Sequence, residues 1–115
     1  MPLHADPDTF LPLKPVAFQI LLSLADEERH GYAIAQDIAS RTSARMHVEP
    51  GNLYRFLSEL LDTKLVEETG RRDADERRRF YRLTLLGRRV AAAETARLSD
   101  LVREARGKKW LRTKA

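Results

Sequence analysis

The side chains best suited to chemistry lie in "PGNLYRFLSEL", Pro50–Leu60, a segment that predicts a short amphipathic helix. Asn52, Arg55 and Ser58 recur every three residues and so share one side of that helix, while leucines occupy the other side. Amide and guanidinium groups one helical turn apart suit hydrogen bonding to the edges of bases. Tyr54 adds a hydroxyl group that suits a contact with a phosphate.

The start of the same helix also suits an anionic partner. Pro50 presets the backbone angles of the first turn. Gly51 has no side chain, so a phosphate can approach the N–H groups that the first turn of a helix leaves unpaired. The alternative is an ordinary surface helix that begins with proline, and the helix considered alone favours that alternative.

A second concentration of charge lies between two predicted strands. From Gly70 to Arg82 the chain carries six arginines against three acidic residues. The flanking segments, Leu65–Thr69 and Phe80–Thr84, predict a hairpin with a long basic tip. Such a tip suits contacts with the DNA backbone or with the minor groove. We expect this role for three of its arginines: Arg77, Arg78 and Arg79. The alternative is a solvated loop whose charges pair with one another.

The composition favours a small globular domain with an anionic partner. The chain has 115 residues, of which 43% are hydrophobic and 33% are charged, and its net charge is +4. That length predicts a single domain with a small core. The pI of about 9.8 favours nucleic acid as the partner, although basic composition alone is weak evidence for it.

Other classes of protein are disfavoured by what the sequence lacks. The absence of cysteine excludes disulfides, thiolate zinc sites and a cysteine nucleophile. His4, His30 and His47 show no metal-ligand spacing, so we expect no metal and no cofactor. The sequence contains no nucleophile elbow, phosphate loop or catalytic triad, so we do not expect an enzyme. The N-terminus lacks the pattern of a secretory signal, and the apolar stretch Val16–Ala25 is too short to span a bilayer. We therefore expect a cytoplasmic protein without membrane contact.

The remaining elements must position the two polar groups. Four helices are predicted: from Pro15, from Gly31 to Arg41, from Pro50 to Thr63, and from a Thr84 cap to Arg106, with Gly107 as its stop. Asp26–Gly31 predicts a polar turn, and Met46–Val48 is either a connection or a short strand. Three helices followed by a β-hairpin form the winged helix-turn-helix pattern, in which the third helix enters the major groove of DNA.

We therefore expect a mainly α, α+β fold, the winged helix-turn-helix with a two-stranded β wing and a long C-terminal dimerisation helix. The expected segments are an N-terminal arm (1–12), the winged helix-turn-helix DNA-binding domain (13–84), the dimerisation helix (85–107) and a basic tail (108–115).

Two apolar surfaces predict a homodimer. The first helix is apolar almost all the way round, which one small domain cannot easily cover, so Phe18 and Leu22 are expected to face a second copy. The last helix carries an apolar stripe of 3.6-residue period, which is more simply a dimer seam than the wall of a ligand site. The stripe consists of Leu98, Leu101, Val102 and Ala105.

Four segments, in order and spacing, resemble one family. They are HGYAIAQDI (His30–Ile38), VEPGNLYRFLSEL (Val48–Leu60), LVEE (Leu65–Glu68) and RRRFYRLTLLGRR (Arg77–Arg89). This set is similar to the PadR-like transcriptional regulators, and the similarity covers roughly residues 16–106. The chain departs from the family pattern at Glu49, where a Ser-type cap is common, and at the acidic hairpin tip Asp73–Glu76.

The resemblance implies a homodimeric winged-helix repressor that binds an inverted repeat in double-stranded DNA, often in its own promoter. Many such regulators leave DNA when they bind a small aromatic effector. Family members hold flat ligands with aromatic residues near the dimer interface, which makes Trp110 a candidate ligand-binding residue. The alternative, which we favour for Trp110, is a tail residue packed on the first helix.

Two residues outside the third helix complete the candidate interface. His30 and Tyr32 begin the second helix, which crosses the DNA backbone in this motif, so we expect either to reach a phosphate. A packing role is the alternative for Tyr32. Two rival functions also stay open: a winged-helix module that binds an acidic protein, and a DNA binder without sequence preference.

Overall fold

The computed structural model describes residues 5–71 and 78–112. Within them lie four α-helices: α1 (Pro15–Ser23), α2 (Gly31–Arg41), α3 (Pro50–Asp62) and α4 (Leu85–Arg106). They also contain three strands, β1 (Arg29–His30), β2 (Val66–Glu68) and β3 (Phe80–Leu83), and two short 3₁₀ turns, Pro7–Phe10 and Lys109–Leu111. The order of the helices and of β2 and β3 is the one predicted for a winged helix-turn-helix.

The helix starts follow from local sequence. Pro15 and Pro50 each occupy the first turn of their helices, where a missing N–H group breaks no hydrogen bond. The Thr84 hydroxyl accepts a hydrogen bond from the Gly87 N–H group (2.9 Å), which confirms it as the cap of α4. At the other end α4 stops before Gly107, as predicted, although Gly107 keeps right-handed backbone angles.

The sheet is larger than predicted. Its strand order is β1-β3-β2, and both pairings are antiparallel. The prediction of a polar turn at Asp26–Gly31 was wrong for Arg29 and His30, which pair with Tyr81 and Phe80. Two polar residues are too few to show the alternation by which a strand is recognised, so only the pairing with β3 defines this one. In contrast, Met46–Val48 forms no strand.

One apolar core joins these elements. Its fully buried members come from α1, α2, α3, β2 with the residue before it, and the first half of α4: Ile20, Leu21, Ile34, Ile38, Leu53, Leu57, Leu65, Val66 and Val90. The buried residues of α4 end at Glu94, and every residue from Ser99 to Arg112 is exposed. The core therefore packs against only the first part of α4, the longest helix.

The first turn of α4 lies directly against the residue before β2. A Cβ atom added to Gly87 would lie 2.0 Å from the carbonyl oxygen of Leu65, so no other residue fits there without a shift of the backbone. Thr84 adds two hydrogen bonds, from its N–H group to the Leu65 carbonyl (3.1 Å) and from its hydroxyl to the Lys64 carbonyl (2.6 Å). These contacts fix the direction in which α4 leaves the sheet.

From residue 5 onwards, the predicted N-terminal arm contains regular structure. Pro7–Phe10 form a 3₁₀ turn capped by Asp6, and Phe10 packs against the core. The Leu13 N–H group then donates a hydrogen bond to the Glu94 carboxylate (2.9 Å). The prediction missed this turn because its packing partner lies about eighty residues away along the chain, where no local pattern reports it.

Glu94 is a buried charge with a full set of partners. It is 2% exposed, and besides the Leu13 N–H group it binds the Arg97 guanidinium through both carboxylate oxygens. The hydrogen bond from Arg97 lowers the pKa of Glu94, and this effect, helped by the Leu13 bond, outweighs the rise that burial causes. The carboxylate is therefore held charged in the folded chain.

This arrangement predicts how stability responds to acid. Because the pKa of Glu94 is lower in the folded than in the unfolded chain, its stabilisation is complete above the ordinary value of 4.5 and is lost as pH falls through the folded-state pKa. Glu94→Gln should therefore lower the unfolding free energy by about 1–3 kcal/mol at neutral pH, and the gap to wild type should narrow below pH 4.5. Urea unfolding followed by circular dichroism at several pH values measures this gap.

Glu104→Gln, which changes an exposed glutamate of the same helix, is the matched control. A gap between wild type and Glu94→Gln that stays constant with pH would contradict the assignment.

The helices α2 and α3 meet at a glycine. Gly31, the first residue of α2, is buried, and a Cβ atom added there would lie 2.6 Å from the hydroxyl oxygen of Tyr54 on α3. Tyr54 is nevertheless 51% exposed, so its ring covers the start of α2 with one edge and faces outwards with the other. Glycine is required at position 31 because the Tyr54 phenol lies too close for a larger residue. The same contact restricts the position of the phenol.

Gly31→Ala should force the Tyr54 ring to move. We expect it to destabilise wild type more than it destabilises a Tyr54→Ala background, with a coupling of about 0.5–1 kcal/mol, because the second change removes the clash. Unfolding free energies of the four proteins measure the coupling. Gly51→Ala is the control, since a Cβ atom there meets nothing within 4 Å. Equal costs of Gly31→Ala in both backgrounds would show that the two residues do not touch.

Candidate nucleic-acid interface

The outer side of α3 is a row of exposed polar residues. Leu53, Leu57 and Leu60 turn inwards as predicted and are buried, which leaves the other side of the helix to solvent. The exposed row consists of Asn52, Tyr54, Arg55 and Ser58. The sequence therefore identified correctly which side of this helix is available to a partner.

Within that row, Arg55 is held by its neighbours. One of its guanidinium nitrogens, Nη2, donates a hydrogen bond to the Asn52 Oδ1 atom (3.2 Å), one turn earlier in the helix. The guanidinium carbon lies 5.3 Å from the centre of the Phe56 ring, within the range of a cation–π contact. The hydrogen bond with Asn52 directs the guanidinium of Arg55 towards the N-terminal end of α3.

The N-terminal end of α3 is open. The first intrahelical hydrogen bond is donated by the Leu53 N–H group to the Glu49 carbonyl (2.9 Å), so the N–H group of Gly51 precedes the regular pattern. Gly51 is exposed, and the Glu49 side chain makes no capping hydrogen bond. An anion can approach this end, although the Glu49 carboxylate opposes it electrostatically.

The base of the wing is joined to the start of α2 around Phe80. The Arg71 guanidinium lies 4.3 Å from the centre of the Phe80 ring and forms an ion pair with Glu28 (3.2 Å). The His30 ring stands edge-on to Phe80, with centroids 5.2 Å apart, and its Nε2 atom lies 3.5 Å from a guanidinium nitrogen of Arg78. The pairing of β1 with β3 thus brings two wing arginines beside the second helix.

The three candidate arginines of the wing have different surroundings. Arg78 and Arg79 are exposed, and Arg79 forms an ion pair with Glu68 (3.3 Å). Arg77 lies outside the described residues, as does the acidic tip Asp73–Glu76. The structure therefore brings Arg78, more than Arg79, to the side of the wing that faces α2.

His30 and Tyr32 differ in what they offer. The Nδ1 atom of His30 accepts a hydrogen bond from the Ala33 N–H group (3.1 Å) and so caps α2. The sequence predicted a phosphate contact for His30 but not this cap, because histidine is an uncommon residue at the N-terminal cap of a helix. Tyr32 is 62% exposed, which favours an outward role over packing.

A polar network fixes α2 against α1, and the sequence did not predict it. The Arg41 guanidinium donates hydrogen bonds to Gln19 Oε1 (2.7 Å), Ser23 Oγ (2.8 Å) and Asp37 (2.7 Å). Burial raises the pKa of Asp37, but the hydrogen bonds from Arg41 and Ser23 and the charge of Arg29 lower it further than burial raises it. No signal in the sequence marks Gln19 and Arg41 as partners, because they lie on different helices.

The residues predicted to form a dimer are accessible in the single chain. Phe18 and Leu22 are half-buried on α1, and so is Leu98 on α4. Leu101 and Val102 are 47% and 48% exposed, and Ala105 is exposed too. The chain itself therefore leaves these apolar side chains partly or largely uncovered.

The favoured interpretation of Trp110 was wrong. Trp110 is 89% exposed and does not pack on α1, since the end of α4 extends beyond the core. The ammonium nitrogen of its neighbour Lys109 lies 5.4 Å from the ring centre of Trp110. Its role as a ligand-binding residue stays a prediction.

Residues 5–71 and 78–112 contain neither a metal-ligand cluster nor a membrane-spanning helix. No cluster of three or more histidine, aspartate or glutamate side chains in these ranges is placed to hold a metal ion. In the same ranges, none of the helices combines the length and the apolar character needed to span a bilayer.

The sequence of the chain is similar to that of a known family of regulators, in agreement with the fold. Residues 20–93 match the family model described as the transcriptional regulator PadR-like family. An uncharacterized protein X of Lysinibacillus sphaericus is 31% identical over 86 residues, which cover 74% of this chain and 72% of that protein.

Solved structures share the architecture. H. salinarum RosR aligns with a TM-score of 0.64 at 26% identity, over 90% of this chain and 86% of that one. Bacillus subtilis PadR, solved in complex with operator DNA, aligns with a TM-score of 0.62 at 18% identity, over 70% of this chain and 47% of that one. The second likeness supports the winged-helix fold alone. Because the family model spans well over half of its residues, the chain belongs to the PadR-like family of transcriptional regulators.

Proposed function

We propose that this chain is a DNA-binding transcriptional repressor that acts in the cytoplasm as a homodimer on an inverted-repeat operator. The observation that carries the proposal is the exposed polar row of α3, next to a wing base that holds Arg71 and Arg78, in a chain of a regulator family. In this function α3 enters the major groove, and the wing contacts the adjacent backbone or minor groove.

The geometry of α3 supports insertion into a groove. Its apolar side is buried in the core, so the helix is supported from behind while its polar side stands outwards. Asn52 and Arg55 lie towards the N-terminal end of the helix, and in helix-turn-helix proteins that end contacts the base edges. Tyr32 and Tyr54 are exposed nearby and suit contacts with phosphates.

The exposed apolar stripe of α4 supports a dimer. A helix whose second half is apolar along one side and uncovered by its own chain gains stability when a second copy covers it. A symmetric pair of chains presents two α3 helices related by a two-fold axis, and this geometry requires an operator with the same symmetry. Trp110 and Leu111 are exposed and follow the stripe in the chain, which makes them candidates for contact with a small aromatic effector.

The test of the function is binding to specific DNA. Fluorescence anisotropy should compare the promoter upstream of the chain's own gene with a scrambled duplex, at about 150 mM salt. We expect the promoter to bind at least on the order of 10³-fold more tightly, with one dimer per inverted repeat. Addition of planar aromatic compounds to the same complex tests release by an effector.

The two rival functions have different outcomes in this experiment. Equal, weak binding to both duplexes would favour a DNA binder without sequence preference. Absence of binding to either would favour a module that binds an acidic protein.

Arg78 should act through charge rather than through base recognition. Arg78→Ala is expected to weaken binding to all sequences alike and to lower the slope of log affinity against log salt by about one unit, since one phosphate contact is lost. Arg106→Ala removes the same charge from the exposed end of α4 and is the control. A slope that Arg78→Ala leaves unchanged would place the wing away from the backbone.

The apolar stripe on α4 should form the dimer interface. Leu101→Glu places a charge in the proposed seam of both copies, and we expect the dimer dissociation constant to rise on the order of 100-fold or more. Sedimentation equilibrium measures this constant. Ser99→Glu adds the same charge off the stripe and should leave association unchanged. A Leu101→Glu protein that stays fully dimeric would move the interface elsewhere.

A further inference from the structure

The contact between Arg55 and Asn52 determines which hydrogen-bonding groups α3 presents. A guanidinium has donors and no acceptor, so the atom of the Asn52 amide that faces Arg55 must be its oxygen. The amide nitrogen, with two N–H donors, is then the part of Asn52 directed away from Arg55. The pair as a whole is a cluster of donors.

From this geometry we infer that Arg55 and Asn52 recognise, on neighbouring base pairs, a guanine and a second base that offers an acceptor, namely guanine or thymine. The inference rests on the proposed function and adds its sequence preference. Guanine presents O6 and N7 to the major groove, both acceptors, and arginine is the side chain that most often binds them. Thymine presents O4, which accepts from an amide nitrogen.

The same contact disfavours adenine opposite Asn52. An asparagine recognises adenine through both amide atoms, since its oxygen accepts from N6 and its nitrogen donates to N7. In this chain the oxygen already accepts from Arg55, at 3.2 Å. An adenine amino group that approached the second lone pair of that oxygen would meet the N–H groups of the guanidinium, so donors would face donors.

The spacing of the two residues fits neighbouring base pairs. The Arg55 Nη2 atom lies 3.2 Å from the Asn52 Oδ1 atom, so the hydrogen-bonding ends of the two side chains are adjacent. Successive base pairs are about 3.4 Å apart along the DNA axis. The contact with Asn52, together with the Phe56 ring beneath the guanidinium, also restricts Arg55 before DNA arrives, so Asn52 is a positioning residue as well as a contact residue.

The experiment is the selection of bound duplexes from a randomised library, followed by affinity measurements on the selected operator and its single-base variants. Wild type should select guanine at one position of each half-site and guanine or thymine beside it. Arg55→Ala should weaken the guanine preference by roughly 5- to 150-fold. It should also raise adenine at the neighbouring position, because the Asn52 oxygen becomes available.

Two variants of Asn52 separate its two roles. Asn52→Asp keeps an acceptor for Arg55, so the guanine should remain, while the neighbouring preference should move to cytosine, whose N4 amino group donates. Asn52→Ala should weaken both preferences. Asp62→Asn, an exposed residue at the C-terminal end of α3 and outside the polar row, is the matched control and should leave the two positions unchanged. Thermal unfolding by circular dichroism establishes that each variant is folded.

The outcomes distinguish this inference from the function on which it rests. A wild-type protein that selects adenine opposite Asn52, or an Arg55→Ala variant that leaves the neighbouring position unchanged, would overturn the inference and leave a sequence-specific regulator. A library from which folded wild type selects no sequence at all would overturn the proposed function and the inference with it.

Discussion

The antiparallel pairing of β1 with β3 is the constraint on which the rest of the structure depends. It places His30 opposite Phe80, so that one residue belongs to the sheet, caps α2 and faces Arg78 of the wing. Because Gly31 follows directly, the start of α2 lies where Tyr54 of α3 can close over it. The two residues of β1 thereby determine how the wing, α2 and α3 are placed relative to one another. These are the three parts that would contact a groove of DNA and its flanking backbone.

The sequence predicted the helices well because each carries a local signal. Proline in the first turn, a threonine cap and a leucine spacing of three and four residues depend on neighbours in the chain, and α2, α3 and α4 begin and end within one residue of the prediction. The polar side of α3 followed from the same spacing. The amphipathic pattern thus identified the exposed side of α3, whereas the prediction of a DNA contact also needed the hairpin that follows and the order of the elements.

What the sequence did not predict depends on contacts between distant residues. β1 exists because Arg29 and His30 meet β3 about fifty residues later, and the Pro7–Phe10 turn is supported by packing near α4. The hydrogen bond between Asn52 and Arg55 is local, but whether two exposed side chains meet depends on rotamers that composition does not report. Trp110 was misplaced because an aromatic residue ordinarily favours burial, whereas the core of this chain ends well before it.

The uncovered end of α4 has a consequence for optical spectroscopy. Trp110 is the chain's single tryptophan, and it already faces water in the folded chain. Unfolding of an isolated chain would change its surroundings little, so emission from this indole should be nearly insensitive to loss of the core. A molecule that covers the end of α4 would move the indole from water into a less polar medium and shift its emission to shorter wavelength. The chain thus carries an intrinsic fluorophore that responds to contacts at its C-terminal end and is nearly silent about its own folding.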